Sequence, residues 1–186
     1  EWYQEDVRSG GTDDLAKIAK IPGTAYVTIP VSLGALVAGR WAGNPTMEEW
    51  GQRAIRATVV GTPALLFLQV GLGGSRPEDG DSHWRPFQDS HGVSGHAFIG
   101  AVPFITAGMM SDSPYVKGAL YGISALPGLS RINDNAHYTS QAALGWYLAW
   151  LSCDVVGKVD AQGDRQSRIA VSILPKGGSI YVARTF

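Results

Sequence analysis

The chain is short of several things, and each shortage excludes a class of protein. It has a single cysteine in 186 residues, so neither an internal disulfide framework nor a cysteine-built metal cage is open to it. Cys153 falls in an apolar helical pattern and reads as a buried structural thiol rather than a nucleophile. Charged residues make up only 17%, but hydrophobic residues reach 45%, a balance that excludes disorder. The formal net charge is -1 and no basic run is longer than two residues. A nucleic-acid partner bound through a basic face is therefore excluded. No charged-then-apolar leader precedes the first helix pattern and the sequence starts at Glu1, which is expected of a processed or trimmed form.

Long hydrophobic runs are scarce as well. The stretches 21–39 and 57–75 lack charges and by length just match a bilayer span. Both carry an internal proline and several glycines, and the mean hydropathy is only -0.01. A soluble chain with membrane association is expected rather than a multi-spanning one.

What remains is helical texture. Residues 13–20 read as a short helix stopped by Pro22-Gly23, and 24–39 as a buried helix. Asn44-Pro45-Thr46 is a helix start, with Asn44 or Thr46 as cap and Glu49 placed for a capping box. That helix is expected to run to about Gln69, kinked at Pro63. The 71–92 segment is a long loop rich in glycine, proline and aspartate, the kind that often carries function. Helices are expected from near Ser94 to Met110, over 115–126 with a stop at Pro127-Gly128, and over 132–156. A polar linker (157–167) and a β-hairpin (168–186) follow, the latter from the alternation Ile169, Val171, Ile173 and Ile180, Val182. The fold class is thus all-α: a single helical bundle of about six helices with a C-terminal β-hairpin packed on it, one domain over 1–186 with its core motifs at 69–146.

The chemistry-bearing residues gather in the middle of the chain. They are Arg76-Pro77, then Ser94-Gly95-His96, then Ser130-Arg131 with His137 six residues on. Singly, each has a bland reading as a core histidine or a surface arginine. Together they suit an anion. Arginine grips oxyanions with a planar, permanently charged fork. One imidazole can attack phosphorus while a second protonates the leaving oxygen. Ser94 Oγ and the N–H groups at a helix start complete such a cradle.

The order and spacing of these segments resemble the three-part signature of the type 2 phosphatidic acid phosphatase superfamily, which also includes bacterial acid phosphatases and vanadium haloperoxidases. That signature runs lysine, six residues, Arg-Pro; then Pro-Ser-Gly-His; then Ser-Arg, five residues, His, three residues, Asp. The resemblance implies an all-α phosphohydrolase without metal or other cofactor, whose site can also hold phosphate or vanadate. It makes His137 the nucleophile and His96 the general acid, with Arg76, Arg131, Ser94 and Gly95 holding phosphate. Residues 84–87 become a wall beside the site. Substrates would be phosphorylated small molecules or lipid phosphates, and the location periplasmic or extracytoplasmic with membrane association.

Two departures stand out. Gln69 occupies the lysine position and Gln141 the aspartate position, while Val93 replaces the motif proline. Gln69 can still donate a neutral hydrogen bond to a phosphate oxygen. Gln141 can orient His137 but cannot stabilise an imidazolium as a carboxylate does, and its amide can also present NH₂ and favour the wrong tautomer. Asp134, three residues before His137, is expected to supply the missing carboxylate. His83 and His91 read first as surface histidines, with contacts to the substrate or to the site residues as the alternative. The alternatives to a phosphatase are a member that binds phosphate with little turnover and, further off, a vanadate-dependent haloperoxidase.

Overall fold

The computed structural model describes residues 3–80, 82–166, 168–174 and 177–183, and from 163 onward the backbone alone. Glu1, Trp2, Asp81, Ser167, and residues 175–176 (in the expected hairpin turn) and 184–186 lie outside the described residues. Among the described residues six α-helices follow one another: α1 (Gly10–Ala19), α2 (Ala25–Ala42), α3 (Pro45–Leu72), α4 (Gly95–Met110), α5 (Pro114–Asn133) and α6 (Thr139–Gln166). The all-α expectation holds.

Local chemistry sets most of the starts. Ser9 accepts from Thr12 N–H while Thr12 Oγ1 accepts from Ser9 N–H, so α1 begins earlier than its acidic residues suggest. Asn44 caps α3 by accepting from Met47 N–H, with Pro45 at the first position. Ser94 and Ser113 cap α4 and α5 in the same way. Pro22-Gly23 stops α1 in a single tight turn, as expected.

Three boundaries differ from the sequence reading. Pro127-Gly128 does not stop α5, which continues to Asn133. Both residues are buried contacts: Pro127 packs on Gly100 of α4, and Gly128 faces Ala97 and Ala142. That packing offsets the hydrogen bond a mid-helix proline removes. The break falls instead at 134–138, where Asn135 takes φ 56, so residues 132–138 are not part of the last helix. Finally, 157–166 is helix and not linker. Asp160 on that turn pairs with both Arg53 and Arg56 of α3, and Lys158 pairs with Asp154 one turn back.

The core centres on α4, whose Phe98, Ala101, Val102 and Ile105 are fully buried. Around it lie Ala54, Ala57 and Leu65 of α3 and Leu148, Ala149, Cys153 and Val156 of α6. The helix α2 departs from expectation. Its buried residues are the small Thr28, Ser32, Ala35 and Gly39, while Tyr26, Val31, Val37 and Trp41 face outward. Gly39 sits against the backbone of Met47 and Glu48, and Gly51 of α3 against Ser32 and Leu36. Small residues let the two backbones approach closely, and the bulky apolar side chains are turned away. Beyond α6 the backbone forms two antiparallel strands, β1 (Arg168–Leu174) and β2 (Gly177–Ala183), with Arg168 opposite Ala183.

Candidate active site

The site assembles where the end of α3, the start of α4 and the α5–α6 turn meet. At the end of α3, Gly73 has φ +56 and lies so close to the Arg85 carbonyl that a Cβ would fall 1.8 Å from its oxygen. Only glycine fits there. The loop then folds back on α3 through Arg85 N–H to Gly73 O (2.7 Å), Ser75 N–H to His83 O (3.1 Å) and His91 N–H to Gly74 O (3.2 Å). This fold-back presents Arg76 at the head of a one-turn helix, where Asp79 accepts its backbone N–H.

The third segment is shaped by its turn. Ala136 and His137 both donate their backbone N–H to the Arg131 carbonyl, at 3.0 and 3.2 Å. The chain therefore doubles back, and His137 is held beside Arg131 by a turn and not by helical periodicity.

Gln141 ties the pieces together. Its backbone oxygen accepts from Ser94 N–H (3.0 Å), and its Nε2 donates to the Ser75 carbonyl (2.8 Å). Its Oε1 accepts from Tyr138 N–H (3.1 Å) and lies 2.8 Å from His137 Nδ1. These partners decide the amide's orientation, because a backbone N–H requires the oxygen and a carbonyl requires the NH₂. The oxygen therefore faces the imidazole, Nδ1 carries the proton, and among the described residues nothing bonds to Nε2. The wrong-tautomer problem raised by a glutamine here does not arise.

His137 is buried and its pKa is pushed down to about 4. Burial is the main cause. The hydrogen bond to Gln141 opposes it, and the charges of Arg131, Arg76 and His91 add to it. His96, in the first turn of α4, is also lowered, again first by burial and then by Arg131, Lys20 and Arg76, with Asp134 opposing. Both guanidinium groups thus act on both imidazoles, and the four side chains share one electrostatic environment. Among the described residues, Nε of Arg53, Arg76 and Arg131 are buried without a protein hydrogen-bond partner; Arg53 Nε faces the Asp160 carboxylate of α6 at 3.3 Å, and the other two belong to the predicted site. Each guanidinium spends Nη1 on a carboxylate: Arg76 on Glu78 (2.8 Å), Arg131 on Asp134 (3.1 Å).

The remaining predicted residues fall into place or out of it. Ser94 Oγ is buried and accepts from Ala97 N–H at 3.3 Å, a bond that does not use its own O–H proton. Gln69 Nε2 donates to the Val93 carbonyl (3.0 Å) and lies against Gly95, so it also braces the loop that carries Ser94. Asp134 does not serve His137. It caps α5, and its Oδ2 is taken by Arg131 and by Lys20 (3.3 Å), because the turn at Asn135 breaks the helical face the two were expected to share. Residues 85–87 are fixed to the end of α3, Phe87 N–H bonding to Val70 O (2.8 Å), with Trp84 and Phe87 exposed. His83 pairs with Asp89 at 2.8 Å.

His91, which the sequence offered as a contact beside the site or as a surface histidine, has its ring 6.5 Å from that of His137. Lys20, the C-cap of α1, escaped the sequence reading, which held no signal for it.

No protein-family model matches the chain and no curated protein matches it. Its fold is similar to the crystal structure of Aquifex aeolicus LpxE, with a TM-score of 0.62 over 84% of this chain and 92% of that one. The two sequences are 18% identical across the match, so the likeness is one of fold.

Proposed function

We propose that the chain is a metal-independent phosphohydrolase of the type 2 phosphatidic acid phosphatase kind, cleaving a phosphate monoester or diphosphate through a phosphohistidine on His137. The observation that carries the reading is the pair of buried, unpartnered arginine Nε–H donors beside a neutral imidazole whose Nε2 is free. Buried donors of this kind are costly unless an acceptor arrives, and a tetrahedral oxyanion is such an acceptor. The motif resemblance and the fold shared with Aquifex aeolicus LpxE support the same reading.

His137 Nε2 attacks phosphorus, the P–O bond to the leaving group breaks, and the departing oxygen takes its proton from His96. Water then attacks phosphorus as neutral His96 removes its proton, the P–N bond breaks, and phosphate leaves with His137 restored. Arg76, Arg131, Ser94 O–H and the Gly95 amide neutralise the equatorial oxygens, the larger share of phosphoryl-transfer catalysis. His137→Ala is expected to abolish phosphate release and His96→Ala to reduce it by about 10²–10⁴. Quenched turnover should trap an acid-labile phosphohistidine by mass spectrometry in the parent protein alone. Near-normal activity of His137→Ala ends the mechanism.

One observation favours binding with weak turnover as a second reading. Gln141 is neutral where a carboxylate would stabilise the imidazolium that forms, and Gln69 adds no charge. Vanadate binding without phosphate release from any of a range of esters would decide for it.

The outward apolar faces support membrane association and lipid-linked substrates. Trp41 and Val37 of α2 and Phe67 and Leu66 of α3 are exposed, and α3 is long and apolar enough to cross a membrane. The extracytoplasmic location rests on the family resemblance. We also read β1 and β2 as a hairpin appended to one bundle domain.

A further inference from the structure

Gln69 stands where the resembled family has lysine, which leaves the phosphate site one cation short. The fold brings another cation close to it. Lys20 ends α1 three residues before Gly23, and Gly23 abuts His96 so tightly that a Cβ there would meet His96 Cβ at 3.0 Å. The Lys20 ammonium lies 3.3 Å from Asp134 Oδ2, the same oxygen that Arg131 Nη1 contacts at 3.1 Å. One carboxylate therefore serves two cations, and a positive charge is left over beside the site. The lysine is held in this place. Asn133 Nδ2 donates to Asp13 (2.7 Å) and Tyr3 O–H to Asn133 Oδ1 (3.0 Å), which fastens α1 and the preceding turn to the end of α5. The charge of Lys20 reaches His96, whose proton affinity it lowers.

We infer that Lys20 is the third cation of the phosphate site, its ammonium passing from Asp134 to a substrate oxygen when the anion enters. A long side chain with a permanent positive charge at its end suits such a transfer, which a neutral amide does not. The inference rests on the phosphohydrolase reading, and the two are separated by comparing anion binding in the parent with that in its Lys20 variants.

Vanadate is titrated by calorimetry into the full chain and into Lys20→Gln, Lys20→Arg and Lys20→Gln/Gln69→Lys variants. Lys20→Gln should weaken binding about tenfold or more, Lys20→Arg should keep most of it, and the added Gln69→Lys should restore it. The Lys20 side chain is 38% exposed, so its replacement empties no core. Equal binding by the parent and Lys20→Gln overturns the role of Lys20 and leaves the anion site standing. Lys20→Arg binding as weakly as Lys20→Gln overturns it too, since a packing role would then explain the loss. Absence of vanadate binding by the parent overturns both readings.

Discussion

At the scale of single residues, the site depends on which proton sits where. His137 is neutral down to about pH 4, and His96 is held below the ordinary histidine value, both mainly by burial. In the proposed mechanism attack needs His137 unprotonated, and leaving-group protonation needs His96 protonated. The kcat/KM profile reports the free protein's groups. It is therefore expected to be bell-shaped with its optimum on the acid side, the lower limb near pH 4 and the upper limb below 6.5. Replacing His96 with asparagine should remove the upper limb and leave the lower. A rate still rising above pH 7 would mean that the two imidazoles do not divide the work in this way. The amide of Gln141 is the residue-scale device that makes the lower limb meaningful, because it fixes the proton on Nδ1 without donating a charge.

At the scale of elements, the start of α4 must stay where α6 lets it come. Gly145 on α6 faces the Ser94 carbonyl, and a Cβ there would lie 2.4 Å from that backbone oxygen and 3.1 Å from Ala97 Cβ. Backbone gives way less readily than a flexible side chain. Gly145→Ala is expected to destabilise the chain by about 1–3 kcal/mol and to lower kcat by displacing Ser94 and His96. Gly157, on the same helix, has nothing within 4 Å of a built Cβ. Gly157→Ala should stabilise by about 0.5–1 kcal/mol and leave turnover unchanged. Urea denaturation and phosphate release on the two variants check both. Element ends themselves divide by how local their cause is. The cap at Asn44 and the start near Ser94 were legible because each capping bond reaches only three residues ahead. The continuation of α5 through Pro127 was not, because its cause is Gly100 on another helix.

For the whole molecule, burying an imidazole at the site sets an acid limit. With a folded pKa of about 4 and an ordinary value of 6.5, the unfolded chain binds the extra proton in between. Stability should therefore fall as pH drops from about 6.5 to about 4, by roughly 3 kcal/mol from His137 alone. His137→Gln should flatten that fall in denaturant midpoints measured across the window. The outer surface has its own test. The small-residue seam between α2 and α3 turns Val31, Val37 and Trp41 outward, and an apolar surface of this kind marks a membrane or partner site. Trp41 is 93% exposed, so its fluorescence should shift to the blue on addition of phospholipid vesicles, and no shift would argue against lipid contact by α2.

The sequence by itself determined the helical content, the capped start at Asn44 and the identity of the arginines, serine and histidines, since caps, turn residues and motif spelling act over a few neighbouring positions. Tertiary structure alone decided which charges meet. Lys20 reaches Asp134 across 114 positions of sequence, the orientation of the Gln141 amide depends on Ser75 across 66, and Asp134 turns from His137 to Arg131 at a bend one residue on. Electrostatic pairing depends on distance in space, and distance in space is fixed only once the helices have packed.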